Sequence, residues 1–262
     1  MLSLLNTNQH SLPSSLSFQF KKSQEFEQFV AEILHHSKNR LFREPSPNPY
    51  ALLPEALAFL DELLEKTLPS CIVEFGSGES TILFCTWASI HQKSVTTVEN
   101  ERNWLNQIKL KISPKIASIW DVIHAPLRLQ LSNLRLFFTY SLANDYITKI
   151  KQADIIFIDG PHIPGREIVL FTALNNCKPG AIIIMDDFDI APIRKMLAIV
   201  PANLAIYFAG VPVETCGRGF YILRCSESVP QHIMPSSISF LEIALSYWRT
   251  IRDYLRFGTG DS

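Results

Sequence analysis

Short apolar runs alternate with longer stretches of helical periodicity from about residue 70 onwards. The runs are rich in isoleucine and valine and are apolar at consecutive positions, which is typical of strands buried on both faces. The predicted strands cover 71–75, 94–99, 118–125, 154–159 and 181–186. The stretches between them, long enough for crossover helices, cover 79–90, 101–112, 140–151 and 167–176. This alternation predicts an α/β fold with a doubly wound, mostly parallel sheet and right-handed crossovers.

The same pattern divides the chain into three parts. Residues 1–50 are predicted to form an N-terminal arm and a helical cap. Residues 51–226 form the α/β domain, which ends in two strands near 205–209 and 219–224. Their connection is too short for a helix, so they should pair as an antiparallel hairpin at one edge and complete a seven-stranded sheet. Residues 227–262 read as an amphipathic C-terminal helix and tail.

Composition and charge exclude several classes of protein. Of the 262 residues, 47% are hydrophobic and 19% are charged, which is a globular composition and not a disordered one. The formal net charge is -1, so we expect no broad basic surface for nucleic acid or an anionic membrane. The five cysteines are scattered without a C-x-x-C pair, which argues against a disulfide framework and against a zinc ribbon.

Two segments bear on the location of the protein. The first residues lack a basic region followed by an apolar one, so we expect no signal peptide. Residues 196–213 carry no charge, but Pro201, Asn203 and Pro212 interrupt them, and we interpret them as a helix end and a buried strand. The sequence therefore predicts a soluble, cytoplasmic protein without stable membrane association.

Residues suited to ligand binding follow the predicted strands at their carboxyl ends, where doubly wound sheets bind ligands. After the first strand, Gly76 and Gly78 allow a sharp turn and a close approach to a ligand, although a plain strand-to-helix turn is the alternative. Thr81 stands where a dinucleotide fingerprint requires a third glycine, so that fingerprint fails. Glu99 ends the second strand, where a carboxylate can accept hydrogen bonds from a ribose diol; a solvated strand end is the alternative.

Three acids, Asp159, Asp186 and Asp187, follow two predicted strands that should be neighbours. Three carboxylates would repel one another unless a positive group lies between them. A hard divalent cation with oxygen ligands, such as Mg²⁺, is the simple answer. The alternative is that Asp186 or Asp187 caps a helix beginning near Ile190.

Four motifs, VEFGSGES, TVENE, FIDGPH and KPGAIIIMDD, stand in an order and at a spacing that resemble the class I S-adenosylmethionine-dependent methyltransferases. The resemblance covers roughly residues 50–225 and implies a Rossmann-like methyltransferase fold. In the first motif Ser80 replaces the third glycine, and Glu99 matches the ribose-binding acid. The cofactor-binding residues implied by the resemblance are Glu74, Gly76, Ser77, Gly78, Ser80, Glu99 and Asp159.

The later motifs resemble the metal-dependent O-methyltransferases that act on catechols and on macrolide sugars. In that family, an acid after the fourth strand and an acid pair after the fifth hold Mg²⁺, which implies Asp159, Asp186 and Asp187 as metal ligands. His162 matches the general base of the sugar type, so His162 and Asp159 are implied as catalytic residues. The implied substrate is a small molecule with a hydroxyl group, a sugar or a phenol. A metal-free variant, in which the aspartates only hydrogen-bond the substrate, stays open.

Two other functions compete with this interpretation. A dinucleotide-dependent dehydrogenase is disfavoured by Thr81 and by the paired acids. A non-catalytic module would keep the nucleotide pocket and serve assembly through the N-terminal arm and the C-terminal helix. The apolar stripe of that helix, which includes Trp248, also suits a homodimer surface. We expect no nucleic-acid partner.

Overall fold

The structure, a computed structural model, describes residues 23–38, 40, 51–132, 134–141, 144–161, 163–187, 206–212, 219–225 and 240–257. The helices in these ranges are α1 (Gln24–Ser37), α2 (Pro54–Thr67), α3 (Glu79–His91), α4 (Arg102–Lys111), α5 (Asn144–Gln152), α6 (Ile163–Asn176) and α7 (Phe240–Phe257). The strands are β1 (Cys71–Phe75), β2 (Ser94–Glu99), β3 (Trp120–His124), β4 (Leu127–Ser132), β5 (Arg135–Tyr140), β6 (Ile155–Ile158), β7 (Ile182–Met185), β8 (Ile206–Pro212) and β9 (Gly219–Cys225).

The strands form one seven-stranded sheet and a separate hairpin made of β4 and β5. The order in the sheet is β3-β2-β1-β6-β7-β9-β8. Within this sheet β3, β2, β1, β6 and β7 are parallel to one another. Strand β9 runs antiparallel to both β7 and β8. The predicted architecture, a mostly parallel sheet with an antiparallel hairpin at one edge, is confirmed. The strand order reverses at β1, between β2 and β6, and a doubly wound sheet binds its ligand beyond the strand ends at this point.

Alternating side chains along the central strands separate two layers of core. Every residue of β6 and β7 is buried. Ile156 and Ile158 face one layer, whereas Ile155 and Phe157 face the other. A fully buried aliphatic side chain contributes about 1.5–3 kcal/mol relative to an exposed one, so these strands hold their carboxyl ends firmly in position.

Three elements start two or more residues away from the predicted position. The predicted helix over 140–151 starts only at Asn144, because Tyr140 is the last residue of β5. The predicted strand over 118–125 starts at Trp120, after a 3₁₀ turn over Ala117–Ile119. Helix α6 starts at Ile163, before the predicted start at Glu167. Its first turn therefore includes Pro164, and a proline is tolerated there because the N–H groups of the first turn have no partner within the helix.

The sequence pattern does not predict the hairpin of β4 and β5. Its register places Leu129 opposite Phe138, with apolar and polar residues alternating along β4. The Thr139 hydroxyl donates to the Gly165 carbonyl at 3.1 Å, which attaches the hairpin to α6. The apolar run of β5 covers only Leu136–Phe138, and so short a run does not distinguish a strand from a helix.

The outer helices α1 and α7 lie where the apolar periodicity predicts them. The Ser23 hydroxyl oxygen accepts a hydrogen bond from the Phe26 N–H at 3.2 Å and caps α1, which buries Phe26 and Ile33. Helix α7 packs on the hairpin, and the Thr250 hydroxyl donates to the Leu136 carbonyl at 2.5 Å. No helix within the described ranges combines the length and the apolar character needed to cross a membrane. Residues 1–22 lie outside the described residues, and the division into cap, domain and tail stays a prediction.

Candidate active site

The glycine turn, residues 76–80 after β1, brings two backbones into close contact. Gly76 has φ +89°, which L side chains rarely adopt, and its N–H donates to the Val98 carbonyl at 2.9 Å. A Cβ on Gly76 would lie 2.9 Å from the backbone nitrogen of Gly160, and a Cβ on Gly160 would collide with the Tyr140 hydroxyl. Since only glycine fits at both positions, β1 and β6 end with their backbones in contact at the reversal point. A Cβ on Gly78 would meet nothing within 4 Å.

Glu74 lies fully buried behind this turn and is held by three hydroxyl groups. Ser80, Thr81 and Thr97 donate to its carboxylate at 2.5, 2.6 and 3.0 Å. Burial raises the pKa of Glu74 to about 8, although these hydroxyl groups act to lower it. Thr81 also accepts from the Gly78 N–H at 2.8 Å, so it braces the turn where the dinucleotide fingerprint would have glycine. Glu74 and Ser80 thus bind each other, and their contact with a cofactor stays a prediction.

Glu99 lies beside the turn, and both of its carboxylate oxygens are engaged. Oε2 accepts from the Ser77 N–H and from the Ser77 hydroxyl, each at 2.8 Å. Oε1 accepts from the N–H groups of Asn100 and Glu101 at 2.7 and 2.9 Å. The indole N–H of Trp104 donates to the Ser77 carbonyl at 2.6 Å, a contact that no sequence motif indicates. Ser77 is therefore fixed through its N–H, its hydroxyl and its carbonyl.

Three aspartates form an acidic cluster beyond β6 and β7. Asp159 follows β6, and Asp186 and Asp187 follow β7, its parallel neighbour, so strand pairing brings them together. One ligand atom from each lies within 4.8 Å of the others. Asp186 is buried, and its N–H donates to the Ile158 carbonyl at 3.1 Å. Burial raises the pKa of Asp186 well above its ordinary range, and the charges of Asp159 and Asp187 act in the same direction.

Arg166 inserts a positive charge into the acidic cluster from the first turn of α6. Its side chain is only 10% exposed. Nη1 donates to Asp187 Oδ2 at 2.7 Å, and Nη2 donates to Asp159 Oδ1 at 3.1 Å. Nε donates to the Pro161 carbonyl at 2.9 Å. Burial acts to lower the pKa of Arg166, but the negative charges of the aspartates outweigh it and raise this pKa.

The cluster combines a cation with several carboxylate oxygens. Among the described residues, Arg166 pairs with Asp159 and Asp187. Carboxylate oxygens that lie this close together also suit a hard divalent cation, which takes a few carboxylates together with water and substrate oxygens. No sequence motif indicates Arg166. However, Arg166 and Glu167 are the only charged residues in α6, and charge in an apolar helix indicates a buried partner.

Two further residues bear on the acceptor side of the site. His162, the predicted general base, lies outside the described residues, so its placement stays a prediction. Tyr140 is buried against Phe75, with ring centroids 6.0 Å apart, and its hydroxyl lies next to Gly160. Burial raises the pKa of Tyr140, so its hydroxyl stays protonated at its position next to Gly160. The sequence pattern predicts a helix over 140–151, so it does not indicate that Tyr140 lies at the site.

Comparison with known proteins gives one family match. Residues 73–188 match the family described as "Methyltransferase domain". The matched segment contains the glycine turn, Glu99, the acidic cluster and Arg166. None of the curated proteins compared matches the sequence.

Several solved structures resemble the chain at low sequence identity. An O-methyltransferase from Bacillus cereus, in complex with S-adenosylhomocysteine (SAH), is 17% identical with a TM-score of 0.47, over 78% of this chain and 92% of its own. An SAH-bound methyltransferase from Podospora anserina is 14% identical with a TM-score of 0.47, over 76% of this chain and 88% of its own. An RNA methyltransferase from Salinibacter ruber, in complex with SAH, is 12% identical with a TM-score of 0.41, over 73% and 99%.

Proposed function

We propose that this chain, which is a class I S-adenosylmethionine-dependent methyltransferase, transfers the methyl group to a hydroxyl oxygen of a small molecule. The observation that carries the proposal is the position of the acidic cluster. Asp159 directly follows β6, the strand that pairs with β1, so the cluster lies beside the glycine turn. Two adjacent binding places, one for a nucleotide cofactor and one for a hydroxyl acceptor, are what methyl transfer requires.

The glycine turn and Glu99 form the proposed cofactor side of the site. Helix α3 begins at Glu79, so its free N–H groups point towards the space beyond the turn. The carboxylate of Glu99 is suited to accept hydrogen bonds from a ribose diol. Among its present donors, the Ser77 hydroxyl is the one on a rotatable side chain, so a ribose hydroxyl can replace it without moving the backbone.

We propose that Asp159, Asp186 and Asp187 hold a divalent cation of the Mg²⁺ type. When bound, such a cation lowers the pKa of an acceptor hydroxyl and fixes its orientation. Arg166 holds Asp159 and Asp187 from the side of α6, which restricts the positions that their carboxylates can take. The physical reason for expecting the cation is that one carboxylate oxygen from each aspartate lies within 4.8 Å of the others, a spacing that suits shared oxygen ligands.

Proton removal is assigned to His162. An alcohol is a poor nucleophile while it is protonated, so a base must receive its proton as the methyl group is transferred. Histidine has an ordinary pKa of about 6.5, which suits this task near neutral pH. Holding the acceptor oxygen in line with the methyl carbon supplies roughly 7–11 kcal/mol, and we assign this positioning to the acidic cluster with Asp159 as its central residue.

The acceptor is proposed to be a sugar or a phenolic compound. The net charge of -1 disfavours a nucleic-acid acceptor. We propose a cytoplasmic location, because the five cysteines are scattered without a C-x-x-C pair, which argues against a secreted disulfide framework.

The first experiment is calorimetric titration with SAH, in Mg²⁺ and again in EDTA, on wild type and on Asp159→Asn. We expect SAH to bind, and we expect heat from added Mg²⁺ that disappears in Asp159→Asn. Asp121→Asn is the matched control, because Asp121 is 51% exposed at the start of β3, paired with Lys149 at 2.7 Å. Absence of SAH binding would overturn the cofactor assignment, and unchanged Mg²⁺ heat in Asp159→Asn would overturn the metal assignment. Methyl transfer to a panel of sugars and phenols then tests the acceptor class, which a wholly inactive panel would contradict.

A further inference from the structure

Two cysteine sulfurs lie in contact away from the proposed active site. Cys177 Sγ and Cys225 Sγ are 3.3 Å apart, and both residues are reduced. We propose that this pair is a modification site at which a peroxide oxidant forms a reversible disulfide. The proposal does not depend on the proposed methyl acceptor or on a bound metal.

The backbone holds the two cysteines in position. Cys177 directly follows α6, and its N–H donates to the Ala173 carbonyl at 2.8 Å. Cys225 is the last residue of β9, and its N–H donates to the Ala181 carbonyl at 3.2 Å. The Gly180 N–H donates to the Cys225 carbonyl at 2.6 Å, so the connection after Cys177 pairs with the end of β9. A disulfide requires a sulfur separation of about 2.05 Å, so the two sulfurs must approach by only roughly 1 Å.

The two thiols differ in the way that an attacking and a resolving cysteine should. Cys177 is partly exposed, whereas Cys225 is buried. The hydrogen bond with Cys225 lowers the pKa of Cys177, despite the opposing effect of burial, and the same contact raises the pKa of Cys225. Burial raises the pKa of both Cys71 and Cys85. Since the thiolate is the nucleophile, Cys177 is the first of these four thiols to react.

The reaction balances with hydrogen peroxide as the oxidant. The Cys177 thiolate attacks one peroxide oxygen, the O–O bond breaks, and the released hydroxide takes a proton to leave as water. The resulting sulfenic acid is attacked by the Cys225 sulfur, which forms the S–S bond and releases a second water with the thiol proton. Two thiols thus lose two electrons in total, and one peroxide is reduced to two waters.

The position of the pair predicts which property of the protein responds. The pair lies near the amino end of β7, whereas the acidic cluster follows the carboxyl end of that strand. The bond would join positions 48 residues apart in the chain and so restrict the unfolded state. We therefore expect higher thermal stability in the oxidised protein and unchanged SAH affinity.

Peptide mapping tests the proposal directly on the wild-type chain. The protein is treated with hydrogen peroxide, remaining thiols are alkylated, and trypsin separates the three cysteines of the C-terminal half. We expect the Cys177 and Cys225 peptides to be linked, at a mass two hydrogens below their sum. Recovery of Cys177 as a sulfinic acid, or its linkage to Cys216, would overturn the proposal. The peptides that carry Cys177, Cys216 and Cys225 are 167–194, 196–218 and 225–249.

Thermal unfolding provides the second measurement. Oxidation should raise the Tm of wild type by about 5–10 °C, and a reductant should reverse the change. Cys177→Ser and Cys225→Ala should each lose this shift, whereas Cys71→Ser is the matched control and should keep it. The proposal would be overturned if the Tm shift persists in Cys177→Ser, or if peroxide leaves the Tm of the wild-type protein unchanged. Because neither measurement involves SAH or an acceptor, failure here is distinguishable from failure of the proposed function.

Discussion

Replacement of Arg166 tests how the acidic cluster is held together. Arg166→Met keeps much of the apolar part of the side chain but removes the guanidinium that donates to Asp159, Asp187 and the Pro161 carbonyl. The cluster then loses the positive charge that pairs with Asp159 and Asp187. We expect a large loss of stability, because like charges in a buried site destabilise the folded state.

The magnitude follows from the burial of the ion pairs. Removing one partner of a buried ion pair costs about 3–5 kcal/mol. Asp186, whose pKa is already raised by burial, can take up a proton and relieve part of the repulsion. We therefore expect a loss near the lower end, about 3 kcal/mol at neutral pH. For a chain of this size, that corresponds to a fall in Tm of roughly 6–12 °C.

The loss should depend on pH and on divalent cations. Asp186 has a raised pKa in the folded state, so its contribution to stability is fully present below the ordinary carboxyl pKa and is lost as pH rises through the folded pKa. Without Arg166 this dependence steepens, and the variant should recover at acidic pH. Added Mg²⁺ should also restore it, by about 2.7 kcal/mol at one hundred times its Kd.

Urea unfolding of wild type and Arg166→Met, in Mg²⁺ and in EDTA, measures these effects. Arg166→Lys is the control, since it keeps the charge and loses the planar fork, and it should be less destabilised than Arg166→Met. An Arg166→Met protein as stable as wild type, or one whose loss is equal at acidic and neutral pH, would refute the reasoning.

Four further predictions concern other parts of the molecule. His162→Ala should lower methyl transfer by about 10²–10⁴-fold and leave calorimetric SAH affinity unchanged; full turnover would exclude His162 as the base. Glu99→Gln removes the charge of the carboxylate that is proposed to accept hydrogen bonds from the ribose, so SAH affinity should fall about tenfold; equal affinity would count against this assignment. Burial raises the pKa of Glu74 to about 8. The free energy of unfolding of wild type should therefore decline as pH rises from the ordinary carboxyl pKa through the folded pKa, by at most about 1.4 kcal/mol per pH unit. Glu74→Gln should lack this slope in urea unfolding, and an identical slope would contradict it. Trp248, 62% exposed on α7, should contribute to a homodimer that Trp248→Asp dissociates in light scattering, and a monomeric wild type would refute the dimer.

Strands β6 and β7 could be predicted because their apolar runs are short and rich in β-branched isoleucine, which favours buried strands. The isoleucine runs of β6 and β7 suit strands covered on both faces, and both strands are fully buried. The hairpin of β4 and β5 is different, since Phe137, Phe138 and Tyr140 are buried by contacts with distant elements. Local periodicity carries no information about such contacts, so the sequence pattern assigns no strand here and starts a helix at Tyr140, the last residue of β5.

The amino-acid pattern was sufficient to place the acidic cluster beyond the carboxyl ends of the strands, because parallel strands align these ends. The partners inside the site depend on tertiary packing instead. Arg166 reaches the cluster from a helix, Ser80 turns towards Glu74 beneath the glycine turn, and Trp104 reaches Ser77 from another helix. Each of these contacts joins residues from different parts of the fold, whose relative placement follows from how helices pack on the sheet and not from spacing along the chain.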